Sequence, residues 1–185
     1  MDTTVPFAGD KKFPLVGFGT YLLSSEQCED AVLCALRAGY VHIDTAEFYD
    51  NHKGIAKAIK ASGIPRDSIF ITDKVSPMGF PGGEIPARTF EEILETLKQR
   101  LAMLETDFVD LYLLHHAFPR KERVNQWRAL VEAQRLGLTK NIGVSNWSKE
   151  HIEEIKRSDP SLPLPSVNQI EIHPLCTQAP LIECV

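Results

Sequence analysis

The sequence has few cysteines and no long apolar stretch, and both absences exclude classes of protein. Its 185 residues include four cysteines, and no two of them form a CxxC pair. A disulfide framework or a zinc site is therefore not expected. No stretch approaches the roughly 18 consecutive apolar residues of a membrane span, and the first residues lack the basic-then-apolar order of a signal peptide. We expect a cytoplasmic protein with no membrane partner.

The sequence also lacks an excess of basic residues. It carries 20 Lys and Arg against 25 Asp and Glu, for a formal charge of −5, and the basic residues are scattered. Nucleic-acid binding usually requires basic residues that are concentrated on one face, so we expect no nucleic-acid partner. Hydrophobic residues make up 43% of the chain, which is enough to build a core. The length predicts a single domain over residues 1–185.

Short apolar segments alternate with segments of helical periodicity along the chain. After a possible β-hairpin at about 3–13, with its turn at Gly9-Asp10, strands are predicted at 14–21, 41–44, 68–74, 110–115, 141–145 and 167–172. Helices are predicted at 24–39, 51–62, 89–104, 124–137, after Ser148, and from 180 onward. Strands that alternate with helical crossovers require a parallel sheet covered by helices.

Five of the predicted strands end in polar groups that are suited to chemistry. These groups belong to Asp44, Lys74, His115, Ser145 with Asn146, and Gln169. The carboxyl ends of parallel strands share one rim, whereas an open doubly wound sheet would draw its site from only two or three strands. The pattern therefore favours an α/β fold of the (β/α)8 barrel type, truncated after about six strands.

Tyr49 follows Asp44 in the loop after the second strand of this pattern and could act as a general acid. A free phenol has a pKa near about 10, and an ammonium group from Lys74 beside it would lower that value. Asp44 would hold Lys74 charged and oriented, so the three residues make a plausible acid. The alternative is a structural ion pair between Asp44 and Lys74, with Tyr49 merely packed against it.

The histidines raise the question of a metal site. Adjacent strand residues point to opposite faces, so His115 and His116 are not expected to share an ion. His42 and Asp44 do share a face and, with His115, could ligate a metal in a barrel hydrolase. A hydrogen-bonded position inside the barrel suits His42 better. His115 alone fits a hydrogen-bond donor to a substrate oxygen, and we expect no metal.

Two amide side chains and one glycine-containing segment suggest a ligand. Asn146 and Gln169 both donate and accept hydrogen bonds, which suits a planar carboxamide. The segment 17–20 lacks the third glycine of a dinucleotide fingerprint, so we interpret Gly17 and Gly19 as a tight entry to the barrel with a close backbone approach to a ligand. Gly19 and Thr20 are therefore candidate cofactor-binding residues. An apolar substrate pocket could be lined by three aromatic residues near the rim, Tyr21, Phe48 and Trp147.

Six segments, in this order, resemble the aldo-keto reductase family: PLVGFGTY, GYVHIDTAEFYDN, FITDKV, VDLYLLHH, IGVSNW and VNQIEIHP. The resemblance implies a (β/α)8 barrel and reversible hydride transfer between a nicotinamide cofactor, usually NADPH, and an aldehyde or ketone. It also implies that the catalytic residues are Asp44, Tyr49, Lys74 and His115, with Tyr49 as the proton donor. Ser145, Asn146 and Gln169 would hold the nicotinamide carboxamide.

The sequence departs from the family pattern in a few places and in length. Members usually carry Arg, Glu and Gly where Val41, His52 and Ala56 stand. An aromatic residue commonly follows the catalytic histidine, and His116 in its place alters one wall of the substrate pocket. A closed barrel needs eight strands and about 250 residues. The parts that would distinguish NADPH from NADH lie beyond the six units, so NADH is not excluded.

The length leaves three functional hypotheses and one expectation about assembly. The first is an NADPH-dependent carbonyl reductase whose 185-residue chain has little activity by itself. The second is a non-catalytic nucleotide-binding or regulatory protein on the same scaffold, and the third is a metal-dependent barrel hydrolase. An open barrel leaves two exposed strand edges, so self-association is expected.

Overall fold

The computed structural model describes residues 4–7, 12–78 and 86–182. Two short strands, β1 (Thr4–Pro6) and β2 (Lys12–Pro14), pair antiparallel at its start. They correspond to the hairpin expected at about 3–13, and the turn expected at Gly9-Asp10 falls outside the described residues. The pair is separate from the main sheet.

The main sheet has six parallel strands that pair in chain order. They are β3 (Phe18–Gly19), β4 (His42–Asp44), β5 (Phe70–Val75), β6 (Val109–Leu114), β7 (Thr139–Ser145) and β8 (Asn168–Gln169). A parallel sheet in strict sequential order, with a helix after each strand, is the arrangement of a (β/α) barrel. The expected fold class is confirmed.

The helices follow the strands as the sequence predicts. They are α1 (Ser25–Arg37), α2 (His52–Ser62), α3 (Phe90–Met103), α4 (Arg123–Arg135), α5 (Lys149–Ser158) and the short α6 (Ala179–Ile182). Among the described residues, none of the helices combines the length and apolar character needed to cross a membrane.

Helix ends match the local sequence signals. The hydroxyl of Ser24 accepts a hydrogen bond from the Gln27 amide, and the Gln27 side chain accepts one from the Ser24 amide, which forms a capping box. Beyond α1, Gly39 has φ +94°, a conformation that favours glycine. Within α2, a Cβ at Gly54 would lie 1.9 Å from the carbonyl oxygen of Ser25, so only glycine allows α1 and α2 to pack this closely.

The core lies between the sheet and its helices. Central strands β5 and β6 are buried along almost their whole length, and their buried residues include Asp73, Lys74 and Asp110 as well as apolar side chains. On α3, Ile93, Leu97 and Leu101 are buried against the sheet, as the helical periodicity predicts.

The two outer strands are shorter than predicted. The strand expected at 14–21 and buried along its length contains only Phe18–Gly19, and Leu15, Val16 and Tyr21 around it are exposed. The strand expected at 167–172 contains only Asn168–Gln169, and Ile172 is exposed. Both strands lie at sheet edges and hydrogen-bond to one neighbour only, which supports fewer residues in strand geometry.

Candidate active site

An ion pair lies at the carboxyl ends of β4 and β5. The Lys74 ammonium donates hydrogen bonds to Oδ1 of Asp44 at 2.5 Å and to the carbonyl oxygen of Thr45 at 3.0 Å. The Lys74 side chain is 3% exposed, so water screens this charge pair little. Parallel strands in register bring the two residues to the same rim, as the sequence predicts.

Tyr49 lies beside this pair in a short 3₁₀ turn, Glu47–Tyr49. The Lys74 ammonium is 5.5 Å from the centroid of the Tyr49 ring. The centroid of the His115 ring is 6.1 Å from that of Tyr49, edge to face. The structure therefore brings Asp44, Tyr49, Lys74 and His115 together at the rim.

The expected effect of Lys74 on Tyr49 is wrong for this structure. Burial and, to a smaller extent, the negative charge of Asp44 raise the pKa of Tyr49 to about 12. The ammonium of Lys74 is already bonded to Asp44 and to a carbonyl oxygen, so the pair as a whole offers little net positive charge to the phenol. Tyr49 is consequently protonated at neutral pH, as a proton donor must be.

His115 is neutral at physiological pH. Burial lowers its pKa to about 4, and the positive charge of Lys74 contributes to the lowering. Its Nδ1 atom is buried and has no partner among the described residues. A neutral imidazole carries one N–H group, which can donate to a substrate oxygen.

The expectation that His115 and His116 point to opposite faces is also wrong. Strand β6 ends at Leu114, so the alternation of a strand does not extend to these residues. Their rings stack at 4.5 Å with an interplanar angle of 4°, and the ring of Phe118 continues the stack at 5.3 Å from His116. Burial lowers the pKa of His116. These stacked rings form one wall beside the site.

The other expected pocket residues differ in their surroundings. Tyr21 is 66% exposed and its ring lies 5.1 Å from that of Tyr49, at the mouth of the site. Phe48 lies 6.1 Å from the His115 ring. Trp147 is only 1% exposed and packs in the hydrophobic core, with its ring 5.5 Å from the Arg123 guanidinium. The rings of Tyr21 and Phe48 lie next to Tyr49 and His115, whereas Trp147 is part of the core.

Three polar residues at the carboxyl ends of β7 and β8, Ser145, Asn146 and Gln169, hydrogen-bond to one another and to the rest of the site. The Ser145 hydroxyl and the backbone N–H of Asn146 both donate to the carbonyl oxygen of Gln169, at 2.9 and 3.0 Å. The Asn146 amide donates to the carbonyl oxygen of His115 and to Ser145, each at 3.1 Å. The Gln169 amide donates to Oδ2 of Asp44 at 2.9 Å.

These residues fit a nicotinamide carboxamide. The side-chain oxygen of Gln169 is buried without a partner among the described residues, so it can accept a hydrogen bond from an amide N–H group. A Cβ at Gly19 would meet nothing within 4 Å, so a ligand can approach this backbone. Thr20 is buried, and its hydroxyl donates to the carbonyl oxygen of Asp44 at 3.1 Å, so its side chain supports the site from within.

The glycine at position 17 is explained by the packing of His42 rather than by a ligand. A Cβ at this position would lie 2.6 Å from Nδ1 of His42, so the histidine ring requires a glycine there. His42 is buried, its Nε2 atom is 2.9 Å from the Thr72 hydroxyl, and burial lowers its pKa. It is the hydrogen-bonded interior residue that the sequence favours.

The aldo/keto reductase family model matches residues 15–185 of the chain. The chain belongs to the aldo/keto reductase family. An aldo-keto reductase from Mycolicibacterium vanbaalenii is 39% identical over 181 residues, which cover 96% of this chain and 61% of the relative. Methylglyoxal reductase DkgA from Yersinia pestis is 36% identical over 182 residues, covering 98% of this chain and 61% of that protein. The chain thus spans about three fifths of the length of these relatives.

Solved structures of aldo/keto reductases share this fold. That of the Brucella melitensis aldo/keto reductase superposes with a TM-score of 0.86 at 37% identity, covering 97% of this chain and 66% of that one. The Bombyx mori aldo-keto reductase was solved in complex with NADP, and it superposes with a TM-score of 0.82 at 28% identity, covering 98% and 62% of the two chains.

The departure of this aldo/keto reductase at His52 has a structural counterpart that sequence reasoning missed. Nε2 of His52 lies 3.1 Å from Oδ1 of Asp73, and both side chains are fully buried. The same carboxylate oxygen accepts a hydrogen bond from the backbone N–H of Lys74 at 2.8 Å. The sequence signal for this pair is a histidine at the start of α2 together with an aspartate on the following strand, directly before Lys74.

The metal alternative receives no support from the described part of the chain. It contains no group of three or more His, Cys, Asp or Glu side chains arranged to hold an ion. Asp44 is bonded to Lys74 and Gln169, and His42 is bonded to Thr72. These contacts occupy His42 and Asp44, two of the three residues on which a barrel hydrolase would depend.

Proposed function

We propose that this chain carries the catalytic part of an NADPH-dependent reductase that converts an aldehyde or ketone to the alcohol. The observation that carries the proposal is the meeting of Asp44, Tyr49, Lys74 and His115 at one rim of the sheet. Tyr49 is protonated, His115 is neutral, and the Lys74 ammonium lies 5.5 Å from the Tyr49 ring.

Each of the four residues has a proposed role. When bound, the reduced nicotinamide supplies a hydride to the carbonyl carbon. His115 donates a hydrogen bond that orients the carbonyl oxygen, and Tyr49 transfers its phenolic proton to that oxygen as charge develops there. The pair of Lys74 and Asp44 holds the rim beside Tyr49 in place, and solvent then reprotonates the phenolate.

We propose that the cofactor side of the site consists of Gly19, Thr20, Ser145, Asn146 and Gln169. The unpartnered oxygen of Gln169 supports this assignment because it is a buried acceptor that needs a donor. The cofactor of the Bombyx mori relative supports NADPH, and NADH stays possible. The substrate wall comprises Tyr21, Phe48 and His116, with Trp147 behind it.

A 2-oxoaldehyde is the first substrate to test, since one relative is named a methylglyoxal reductase. NADPH oxidation with methylglyoxal should be measured on the chain and on a chimera in which the C-terminal two fifths of the Mycolicibacterium vanbaalenii relative follow residue 185. We expect turnover in the chimera and little in the chain by itself. NADPH binding without any turnover in the chimera would favour the non-catalytic alternative.

We further propose that the 185 residues fold as one incomplete barrel domain, that the protein is cytoplasmic, and that it has neither nucleic-acid nor membrane partners. The acidic formal charge of −5 supports the absence of a nucleic-acid footprint. Its partners are small carbonyl compounds and, through the exposed strand edges, other copies of itself.

A further inference from the structure

Tyr49 lies in the middle of a short segment whose two ends are buried. Glu47 is 2% exposed and Asn51 is 0% exposed, whereas the residues between them are partly or fully accessible. Within the segment, the backbone N–H of Tyr49 donates to the carbonyl oxygen of Ala46 at 3.0 Å. The position of the phenol therefore depends on what holds the two ends.

Asn51 fixes the later end through neutral hydrogen bonds. Its amide donates to the carbonyl oxygens of Thr20 at 2.9 Å and Leu23 at 3.1 Å. Its oxygen accepts from the hydroxyl of Thr45 at 3.0 Å. These bonds tie the segment to the loop that follows β3.

Glu47 fixes the earlier end through charge. One carboxylate oxygen lies 2.5 Å from the guanidinium of Arg88 and 3.8 Å from that of Arg100. The other accepts a hydrogen bond from the backbone N–H of Ser76 at 3.1 Å. A buried carboxylate with two cationic partners and one backbone donor is a strongly directional anchor.

The two arginines are themselves held in place. The guanidinium of Arg88 also donates a hydrogen bond to the hydroxyl of Thr96. The backbone carbonyl oxygen of Arg88 accepts one from the side-chain amide of Gln126 at 3.0 Å. Arg100 reaches Asp50, on the far side of Tyr49, at 3.5 Å. The Nε atoms of both arginines are buried without partners among the described residues, and the second carboxylate that Arg100 reaches, Asp50, belongs to the same turn.

We propose that Glu47, clamped by Arg88 and Arg100, is a positioning residue that holds the turn carrying Tyr49 at the mouth of the site. The inference rests on the proposed role of Tyr49 as the proton donor. Glu47 touches neither substrate nor cofactor and acts only through the turn. A misplacement of about 1 Å of a reacting group can cost roughly a hundredfold in rate, so such an anchor has a catalytic consequence.

The structure supplies a matched control for Glu47. Asp110, at the opposite end of the sheet, is also a buried carboxylate with two cationic partners and one backbone donor. It contacts Arg66 at 2.9 Å, Lys140 at 3.1 Å and the backbone N–H of Ile71 at 3.0 Å. Asp110→Asn removes a comparable charge without touching the turn, and Glu47→Gln preserves the size and one acceptor oxygen.

Hydrogen exchange measured by mass spectrometry on the 185-residue chain tests the proposal without turnover. In Glu47→Gln, the amides of residues 46–51 should exchange roughly tenfold faster or more, while those of β6 keep their rate. Asp110→Asn should speed exchange near residues 66–71 only. Equal exchange at 46–51 in Glu47→Gln and the unmodified chain would overturn the proposal, as would equal acceleration there in Asp110→Asn.

A spectroscopic titration gives a second readout. With ¹³C-labelled tyrosine, the Tyr49 signal, identified by its loss in Tyr49→Phe, reports ionisation of the phenol. If Glu47 holds the ring in its buried position, Glu47→Gln should lower the pKa of Tyr49 from about 12 toward its ordinary value of 10, and Asp110→Asn should not. An unchanged titration in Glu47→Gln would contradict the proposal. Both readouts are independent of turnover, so they can succeed even if Tyr49 proves not to be the acid.

Discussion

The amide of Gln169, on the last strand of the sheet, donates a hydrogen bond to Oδ2 of Asp44, on the second strand, at 2.9 Å. The two residues are 125 positions apart in the chain, and Lys74 binds the other oxygen of the same carboxylate. Asp44 therefore links the proposed proton-donating side of the site to the proposed cofactor side. The side-chain oxygen of Gln169 stays available to accept a hydrogen bond from a ligand.

Replacement of Gln169 should weaken cofactor binding. Gln169→Met keeps the approximate shape but removes the acceptor, and one lost hydrogen bond corresponds to about a 2-fold to 10-fold weaker affinity. Titration of protein fluorescence with NADPH measures the effect. Gln99→Met, at an exposed position of α3, is the control and should bind as the unmodified chain does. Equal affinities for both variants would remove Gln169 from the cofactor site.

Replacement of Asp44 should make Tyr49 easier to ionise. Since the charge of Asp44 helps to raise the pKa of Tyr49 to about 12, Asp44→Asn should lower that pKa and also release the Lys74 ammonium from its partner. In a ¹³C-tyrosine titration, Tyr49 should ionise at least partly below about pH 11 in the variant. A pKa that is unchanged or higher would contradict the electrostatic description of the site.

Acid should destabilise the fold in a range set partly by His115. Its pKa is about 4 in the folded chain against an ordinary value of 6.5, so the unfolded chain binds the proton more readily. The free energy of unfolding should therefore fall as the pH drops from about 6.5 to 4. Urea unfolding at several pH values should show a smaller fall for His115→Gln. An identical pH dependence would mean that His115 is not held neutral by the fold.

Much of the fold could be predicted from local patterns, whereas the lengths of the two edge strands could not. The period of α3 and the capping box at Ser24 depend on neighbours within one or two turns, and both are present in the structure. The lengths of β3 and β8 depend on pairing with other strands. An apolar run such as 14–21 is typical of a buried strand only when both neighbours exist.

The sequence could predict which residues meet at the site, but it could not predict the pKa values of their side chains. Strand ends place Asp44, Lys74 and His115 at one rim because the sheet is parallel. The pKa of Tyr49 depends on whether Lys74 directs its charge to the phenol or to Asp44, and spacing does not contain that information. Glu47 was missed because its partners Arg88 and Arg100 follow it by more than 40 residues.

The exposed edges should cause self-association. β3 and β8 each have one unpaired side, and Leu175 beside β8 is 95% exposed. Light scattering during sizing chromatography should show a mass that increases with concentration. Leu175→Lys should reduce the association, while Leu136→Lys, at the exposed end of α4, should not. A monomer at every concentration would refute this prediction.

The most direct test of the account is NADPH oxidation with methylglyoxal by the chimera and by its Tyr49→Phe variant. The variant keeps the ring and its packing but lacks the proton. We predict that kcat falls roughly 100-fold or more, while the dissociation constant for NADPH stays within about twofold. A Tyr49→Phe variant that reduces the aldehyde as fast as the unmodified chimera would contradict the assignment of Tyr49 as the proton donor.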